Sequence, residues 1–65
     1  MSENISKTAG VIWNYLDNNG PTTVSQLTRN IKETDKMLQR GIGWLAREDK
    51  IVIETVNRAE TLTLK

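Results

Sequence analysis

The sequence contains no cysteine and no histidine. Without cysteine, neither a disulfide framework nor a thiolate metal site can stabilise the chain. Without histidine, it lacks the residue type that most often acts as a general base or as a ligand of transition metals. A chain of 65 residues is also too short to frame a substrate pocket easily. We therefore expect a protein that is not an enzyme and that uses no cofactor and no metal.

Long apolar runs are also missing, since the longest spans only a few residues and a transmembrane helix needs about 20. The N-terminal residues 1–4 lack the basic and apolar regions of a secretory signal. These features predict a soluble, cytoplasmic protein with no membrane partner. An excess of positive charge is absent too, because nine Lys and Arg residues face eight Asp and Glu residues. Nucleic-acid-binding domains usually have a pI above about 9, so the composition permits DNA binding without favouring it.

The first periodic segment of the chain, at about residues 4–18, predicts an amphipathic helix. Its apolar residues recur with the helical period of about 3.6 residues and are Ile5, Ala9, Ile12, Trp13 and Leu16. As part of this stripe, Trp13 is expected to be packed in the core, and Gly10 is expected to permit a close helix contact. The helix should end before Gly20 and Pro21, because glycine suits the left-handed residue past a helix end and proline cannot continue a helix.

A second, shorter helix is predicted at about residues 24–32. It follows the extended connector Pro21-Thr22-Thr23, which has room for one bridge of strand. Thr23 and Gln26 have the spacing of a capping box, in which the threonine oxygen accepts a hydrogen bond from the amide three residues on. The apolar face of this helix comprises Val24, Leu27 and Ile31.

A third helix is predicted at about residues 35–48, after the polar turn Glu33-Thr34-Asp35, which offers another capping residue. Its buried stripe comprises Leu38, Gly41, Ile42 and Leu45, widened on one side by Met37 and Trp44. The short turn between the second and third helices is typical of a helix-turn-helix motif.

After the third helix the apolar period changes to 2, which predicts a β-hairpin. Its strands are expected at residues 51–56 and 61–64, joined by a turn at residues 57–60. If Val56 pairs with Thr61 across this turn, Ile53 lies opposite Leu64. One face of the hairpin then covers the helices, and the other, mostly polar, meets solvent.

The order of these elements is that of a winged helix-turn-helix domain. Three helices come first, and a two-stranded antiparallel wing follows. The sequence therefore predicts an α+β fold, mainly α, formed by one domain that spans residues 1–65.

Two stretches of the chain resemble the signature sequences of a known family. They are Ala9-Gly10-Val11-Ile12-Trp13 and, more specific, Gly43-Trp44-Leu45-Ala46-Arg47-Glu48-Asp49-Lys50-Ile51. On these stretches the chain resembles a family of short, stand-alone winged-helix proteins of bacteria and archaea that has long been classed as of unknown function. The resemblance covers essentially the whole chain and implies a winged-helix fold and, loosely, DNA binding. Gly41 departs from the pattern, in which alanine is expected; it keeps the close helix approach and costs up to about 1 kcal/mol of helix propensity.

If the third helix enters a DNA major groove, its outward residues nearest the N-terminus reach the base edges first. These residues are Lys36, Gln39 and Arg40. Lysine and arginine contact phosphate or guanine, and the glutamine amide has the geometry to read adenine. Arg58, at the predicted wing tip, is a further candidate for a contact with the DNA backbone or minor groove. The alternative is an ordinary solvated helix face, on which Arg47 favours the C-terminal helix dipole.

Trp44 has two interpretations. It either fills a gap between the third helix and the rest of the core, or it forms an exposed apolar patch with Met37 or with an edge of the hairpin. Such a patch would be buried on dimerisation, which makes Trp44 and Met37 a candidate dimer interface.

Two hypotheses about function follow from the sequence. The first is a small, transcription-regulator-like winged-helix protein that binds double-stranded DNA through its third helix. The second is a protein-interaction winged-helix module, either a homodimer or an adaptor, that does not bind nucleic acid. Neither hypothesis involves a small-molecule substrate.

Overall fold

Three helices and a three-stranded antiparallel sheet make up the computed structural model, which describes residues 2–65 and the side chains of residues 5–65. The helices are α1 (Ser2–Asn19), α2 (Val24–Asn30) and α3 (Asp35–Arg47). The strands are β1 (Thr22–Thr23), β2 (Ile51–Val56) and β3 (Ala59–Leu64), in the spatial order β1-β3-β2. The predicted winged helix, three helices followed by an antiparallel wing, is confirmed, and the connector before α2 does form a strand bridge.

Side-chain caps start α2 and α3 where the sequence predicts. Thr23 Oγ1 accepts a hydrogen bond from the Gln26 amide at 3.1 Å, and Gln26 Oε1 accepts from the Thr23 amide at 3.1 Å, so the capping box is complete. At α3, Thr34 Oγ1 accepts from the Met37 amide at 3.1 Å. Helix α2 ends at Asn30, earlier than predicted, because Ile31 adopts an extended backbone and its side chain is buried.

The C-terminus of α3 carries an aspartate where glycine is usual. Asp49 has a φ of 60°, the left-handed conformation that glycine adopts without steric cost. Its amide donates to the Ala46 carbonyl at 3.1 Å, and the Lys50 amide donates to the Leu45 carbonyl at 2.9 Å. This pair of bonds is a Schellman motif, and it directs the chain from α3 into β2.

The register of the wing differs from the prediction. Val56 pairs with Ala59 and Ile53 pairs with Leu62, so the predicted pairing of Ile53 with Leu64 is wrong by two residues. The turn contains only Asn57 and Arg58, whose φ angles of 50° and 68° are those of a type I′ turn. This turn matches the twist of the two strands and leaves the rest of the predicted turn free to extend β3. Because the shift is an even number of residues, each side chain keeps its predicted face.

The core lies between the helices and one face of the sheet. Its largest fully buried side chains are Ile12, Leu16, Leu27, Leu38, Leu45 and Leu62. The predicted buried stripe of α3, Leu38, Gly41, Ile42 and Leu45, is confirmed in full.

Two expectations about α1 are wrong. Trp13 is 37% exposed rather than packed in the core, because it lies at the edge of the apolar stripe, where a groove separates α1 from the C-terminal part of α3. Gly10 makes no close helix contact, since a Cβ atom added there would meet nothing within 4 Å. The close contact belongs to Gly41, which packs against α1.

Candidate nucleic-acid and protein interfaces

A row of exposed residues runs along the outward side of α3, opposite the buried stripe. It comprises Lys36, Arg40, Gly43 and Arg47, and we call it the basic row. The spacings of four, three and four residues place all of them on one face of the helix. The acidic residues at the two ends of α3, Asp35 and Glu48, fall outside this face because they do not continue the spacing. The face therefore offers positive charge and, at Gly43, an open position.

The cations of the basic row have no carboxylate partner among the side chains of residues 5–65. Within that segment the one ion pair joins Lys65 to Asp49, at the end of the wing away from its tip. Unpaired cations on an exposed helix face are free to contact an anionic ligand such as phosphate.

Gln39 lies beside the basic row, toward α2. It lines a surface depression whose walls come from both helices and whose polar members are Ser25, Thr28, Arg29, Asp35 and Gln39. The structure therefore brings Gln39 of α3 together with Arg29 of α2, in a depression that the carboxylate of Asp35 also lines.

Arg58 is exposed at the turn of the wing. The other end of the wing, where Ile51 pairs with Leu64, is the end attached to α3. Five residue steps of about 3.3 Å along β2 separate this end from the tip. Arg58 is thus separated by about 16 Å of strand from the point where α3 leads into the wing, and it lies on a different element from Lys36, Gln39 and Arg40.

Trp13 and Trp44 line one groove between α1 and α3, which we call the tryptophan groove. It has a volume of about 280 Å³ and is lined by Ser6, Ala9, Gly10, Trp13, Asn14, Trp44, Leu45 and Lys50. Lys50 is the only charged residue among them. Trp44 is half-buried and packs against the core, which agrees with its first interpretation, but its indole remains accessible from this groove.

Trp44 also lines a second depression, with Ile5, Arg40, Gly43 and Arg47. It therefore connects the tryptophan groove to the basic row. Met37 is half-buried and lines a different depression, with Lys7, Thr8 and Glu33. Because the neighbour of Trp44 in the groove is Trp13 and not Met37, the role of Trp44 and Met37 as a joint dimer interface stays a prediction.

Two other features are absent from the described residues. No group of three or more acidic side chains is placed to hold a metal ion there, and the chain has no His or Cys. None of the helices in residues 2–65 combines the length and apolar character of a membrane span.

Comparisons with known proteins agree with this architecture. Residues 1–64 match the model of a family described as the winged helix-turn-helix domain (DUF2582). The solution NMR structure of the protein BT2368 from Bacteroides thetaiotaomicron is similar, with a TM-score of 0.86 and 28% sequence identity over 98% of this chain and 79% of that one. No curated protein is significantly similar in sequence. Because the family model covers nearly the whole chain and the fold agrees with it, this protein belongs to the DUF2582 family of winged helix-turn-helix domains.

Proposed function

We propose that the protein is a DNA-binding, transcription-regulator-like winged helix without catalytic activity, with α3 as its recognition helix. The observation that carries this proposal is the basic row, an exposed helix face with three cations, no acid and no ion-pair partner among the side chains of residues 5–65. Lys36, Gln39 and Arg40, near the N-terminus of α3, are the proposed readers of base edges, and Arg58 is the proposed wing contact.

The near-neutral net charge of +1 has a consequence for this function. Contacts with phosphates supply most of the non-specific affinity of DNA-binding proteins, and eight acidic residues offset the cations here. We therefore expect weak affinity at physiological salt and strong dependence of binding on salt concentration.

An NMR titration with mixed-sequence duplex DNA at about 20 mM salt tests the proposal, since low salt strengthens every phosphate contact. Amide signals along α3 and at the wing tip should shift, while those of α1 residues that face away from α3 should not. The proposal fails if the α3 signals do not move.

Charge-removal variants locate the contact. R40A should weaken binding and lower the slope of log K against log salt by about 1. K7A is the matched control, because Lys7 is an exposed cation on α1 outside the basic row. Equal losses for both variants would mean that DNA responds to net charge and not to the α3 face.

A second candidate function is protein recognition through the tryptophan groove. The observation that favours it is the 37% exposure of Trp13 in a groove that also contains Trp44 and the cation of Lys50. Exposed aromatic side chains are enriched at protein interfaces. In the variant W44F, Trp13 is the only tryptophan, so its fluorescence reports on the groove. The emission of Trp13 should shift to shorter wavelength when a protein partner covers the groove. Duplex DNA alone should leave this emission unchanged.

A further inference from the structure

The two edges of the sheet are very different. One edge is β1, only two residues long, and the other is β2, with six residues. Strand β2 pairs with β3 on one side and has no strand partner on its outer side among residues 2–65. A long open edge presents a row of unpaired amide and carbonyl groups, which is a template for another strand.

The register of the wing shows which residues direct their backbone groups to this edge. The Lys65 amide donates to the Lys50 carbonyl at 3.1 Å, so these two residues form a hydrogen-bonded pair at the start of the wing. Hydrogen-bonded and non-hydrogen-bonded pairs alternate along two antiparallel strands. The next hydrogen-bonded pairs of the wing are therefore those of Val52, Glu54 and Val56 with their partners in β3. The N–H and C=O groups of the intervening residues of β2, Ile51, Ile53 and Thr55, therefore point away from β3. Ile53 and Thr55 are exposed there, whereas Ile51, at the start of the strand, is buried.

The side chains of β2 do not protect this edge. Natural edge strands are usually shielded by lysine, proline, a bulge or short length. Strand β2 has no lysine, proline or glycine, and its one charged residue is Glu54. Two of its large apolar side chains, Ile53 and Val56, are 41% and 49% exposed. The strand thus combines open backbone groups with exposed apolar surface.

We propose that β2 pairs with β2 of a second copy of this chain, antiparallel, about a two-fold axis at Ile53. In this register Ile53 lies opposite its counterpart, and Ile51 lies opposite Thr55 on both sides of the axis. All three residues direct their backbone groups outward, so each of these pairs exchanges two hydrogen bonds. The two exposed Ile53 side chains also cover each other across the strands.

This register is favoured over its two neighbours, because an axis at Val52 leaves Thr55 without a partner in β2 of the second copy and an axis at Glu54 is opposed by charge. With the axis at Ile53, Glu54 lies opposite Val52 of the second copy. With the axis one residue further on, the two Glu54 carboxylates would lie directly opposite each other, and like charges in such a position are unfavourable. The same surface serves both copies, as a two-fold interface requires, and it does not include the tryptophan groove.

The resulting sheet has six strands in the order β1-β3-β2-β2-β3-β1. Residues directly opposite each other in antiparallel strands lie on the same face of a sheet. The helices of both copies therefore lie on one side of this sheet, and the two wing tips point in opposite directions. The inference does not depend on DNA binding.

Single cysteines test the register, because the natural chain has none. In a hydrogen-bonded pair the two Cα atoms are about 5.5 Å apart, within the range that a disulfide spans, so I53C should form a covalent dimer under mild oxidation. V56C is the matched control, with an equally exposed side chain on the same strand. It lies six residues, or about 20 Å, from its counterpart and should stay monomeric. Equal cross-linking of both variants would overturn the proposal.

The natural chain tests the association itself. Sedimentation equilibrium should show a dimer that dissociates on dilution, and V56K should retain it. I53K should be monomeric with an unchanged α3 spectrum, because lysine protects an edge strand. The backbone amides of residues 53 and 55 should be protected from hydrogen exchange in the dimer of the natural chain. In I53K the same two amides should exchange freely. A natural chain that is monomeric at every accessible concentration, or a dimer that W13A dissociates and I53K does not, would overturn the proposal.

Discussion

Gly41 of α3 lies so close to Ile12 of α1 that a Cβ atom placed on the glycine would be 3.0 Å from the isoleucine Cδ1 atom. The same Cβ would be 3.3 Å from the backbone nitrogen of Ala9. Since backbone atoms cannot move as easily as the end of a side chain, glycine sets the distance between these two helices. This contact positions α3, and with it the basic row, on the rest of the fold.

Substitution of Gly41 by valine should therefore destabilise the protein. Overpacking of a well-filled core costs about 1–3 kcal/mol, which exceeds the gain in helix propensity of less than about 1 kcal/mol. The matched control is G43V on the same helix, where an added Cβ meets nothing within 4 Å, and its stability should stay level or rise slightly. Urea unfolding of both variants measures the difference; equal stabilities would mean that α1 and α3 can separate without cost.

The left-handed residue at the end of α3 gives a second prediction. D49A and D49G both remove the exposed ion pair with Lys65, but only alanine keeps a Cβ in the left-handed conformation. This conformation costs about 1–2 kcal/mol for an ordinary residue. We expect D49A to be less stable than D49G by about 1 kcal/mol in thermal unfolding. Indistinguishable melting curves would show that the backbone at Asp49 relaxes to another conformation.

Arg58 separates stability from DNA binding. Its φ of 68° suits glycine at the second position of a type I′ turn, so R58G should stabilise the fold, by up to about 1 kcal/mol. The same variant removes the proposed wing contact and should lower DNA affinity and the salt slope by about one phosphate contact. Unfolding and binding measured on one preparation check both signs. An affinity that R58G leaves unchanged would remove Arg58 from the proposed interface.

The cap of α3 gives a fourth prediction. T34A removes the side-chain oxygen that accepts from the Met37 amide and should cost about 0.5–2 kcal/mol of unfolding free energy. T34S retains the oxygen and should recover most of this loss. Hydrogen exchange of the Met37 amide reports the cap directly, and it should accelerate in T34A only.

Local features of the chain were predictable because they depend on neighbours in sequence. The capping box of Thr23 and Gln26 follows from a spacing of three residues, and the buried stripe of α3 follows from the helical period. The positions of Lys36 and Arg40 on the exposed side of α3 follow from the same period. What these residues bind does not follow from it, because a solvated face and a DNA-binding face have the same pattern.

Sequence patterns were enough to predict the order of the helices and strands, where α2 and α3 start and which face of each helix is apolar, because short-range hydrogen bonds and periodicity set these features. How these elements pack against one another depends instead on the tertiary structure. It left Trp13 exposed, because α1 and α3 enclose a groove beside it, and it moved the wing register by two residues, because a two-residue turn fits the twist of the strands. It also placed β2 at the open edge of the sheet, since strand order depends on contacts between residues far apart in the chain.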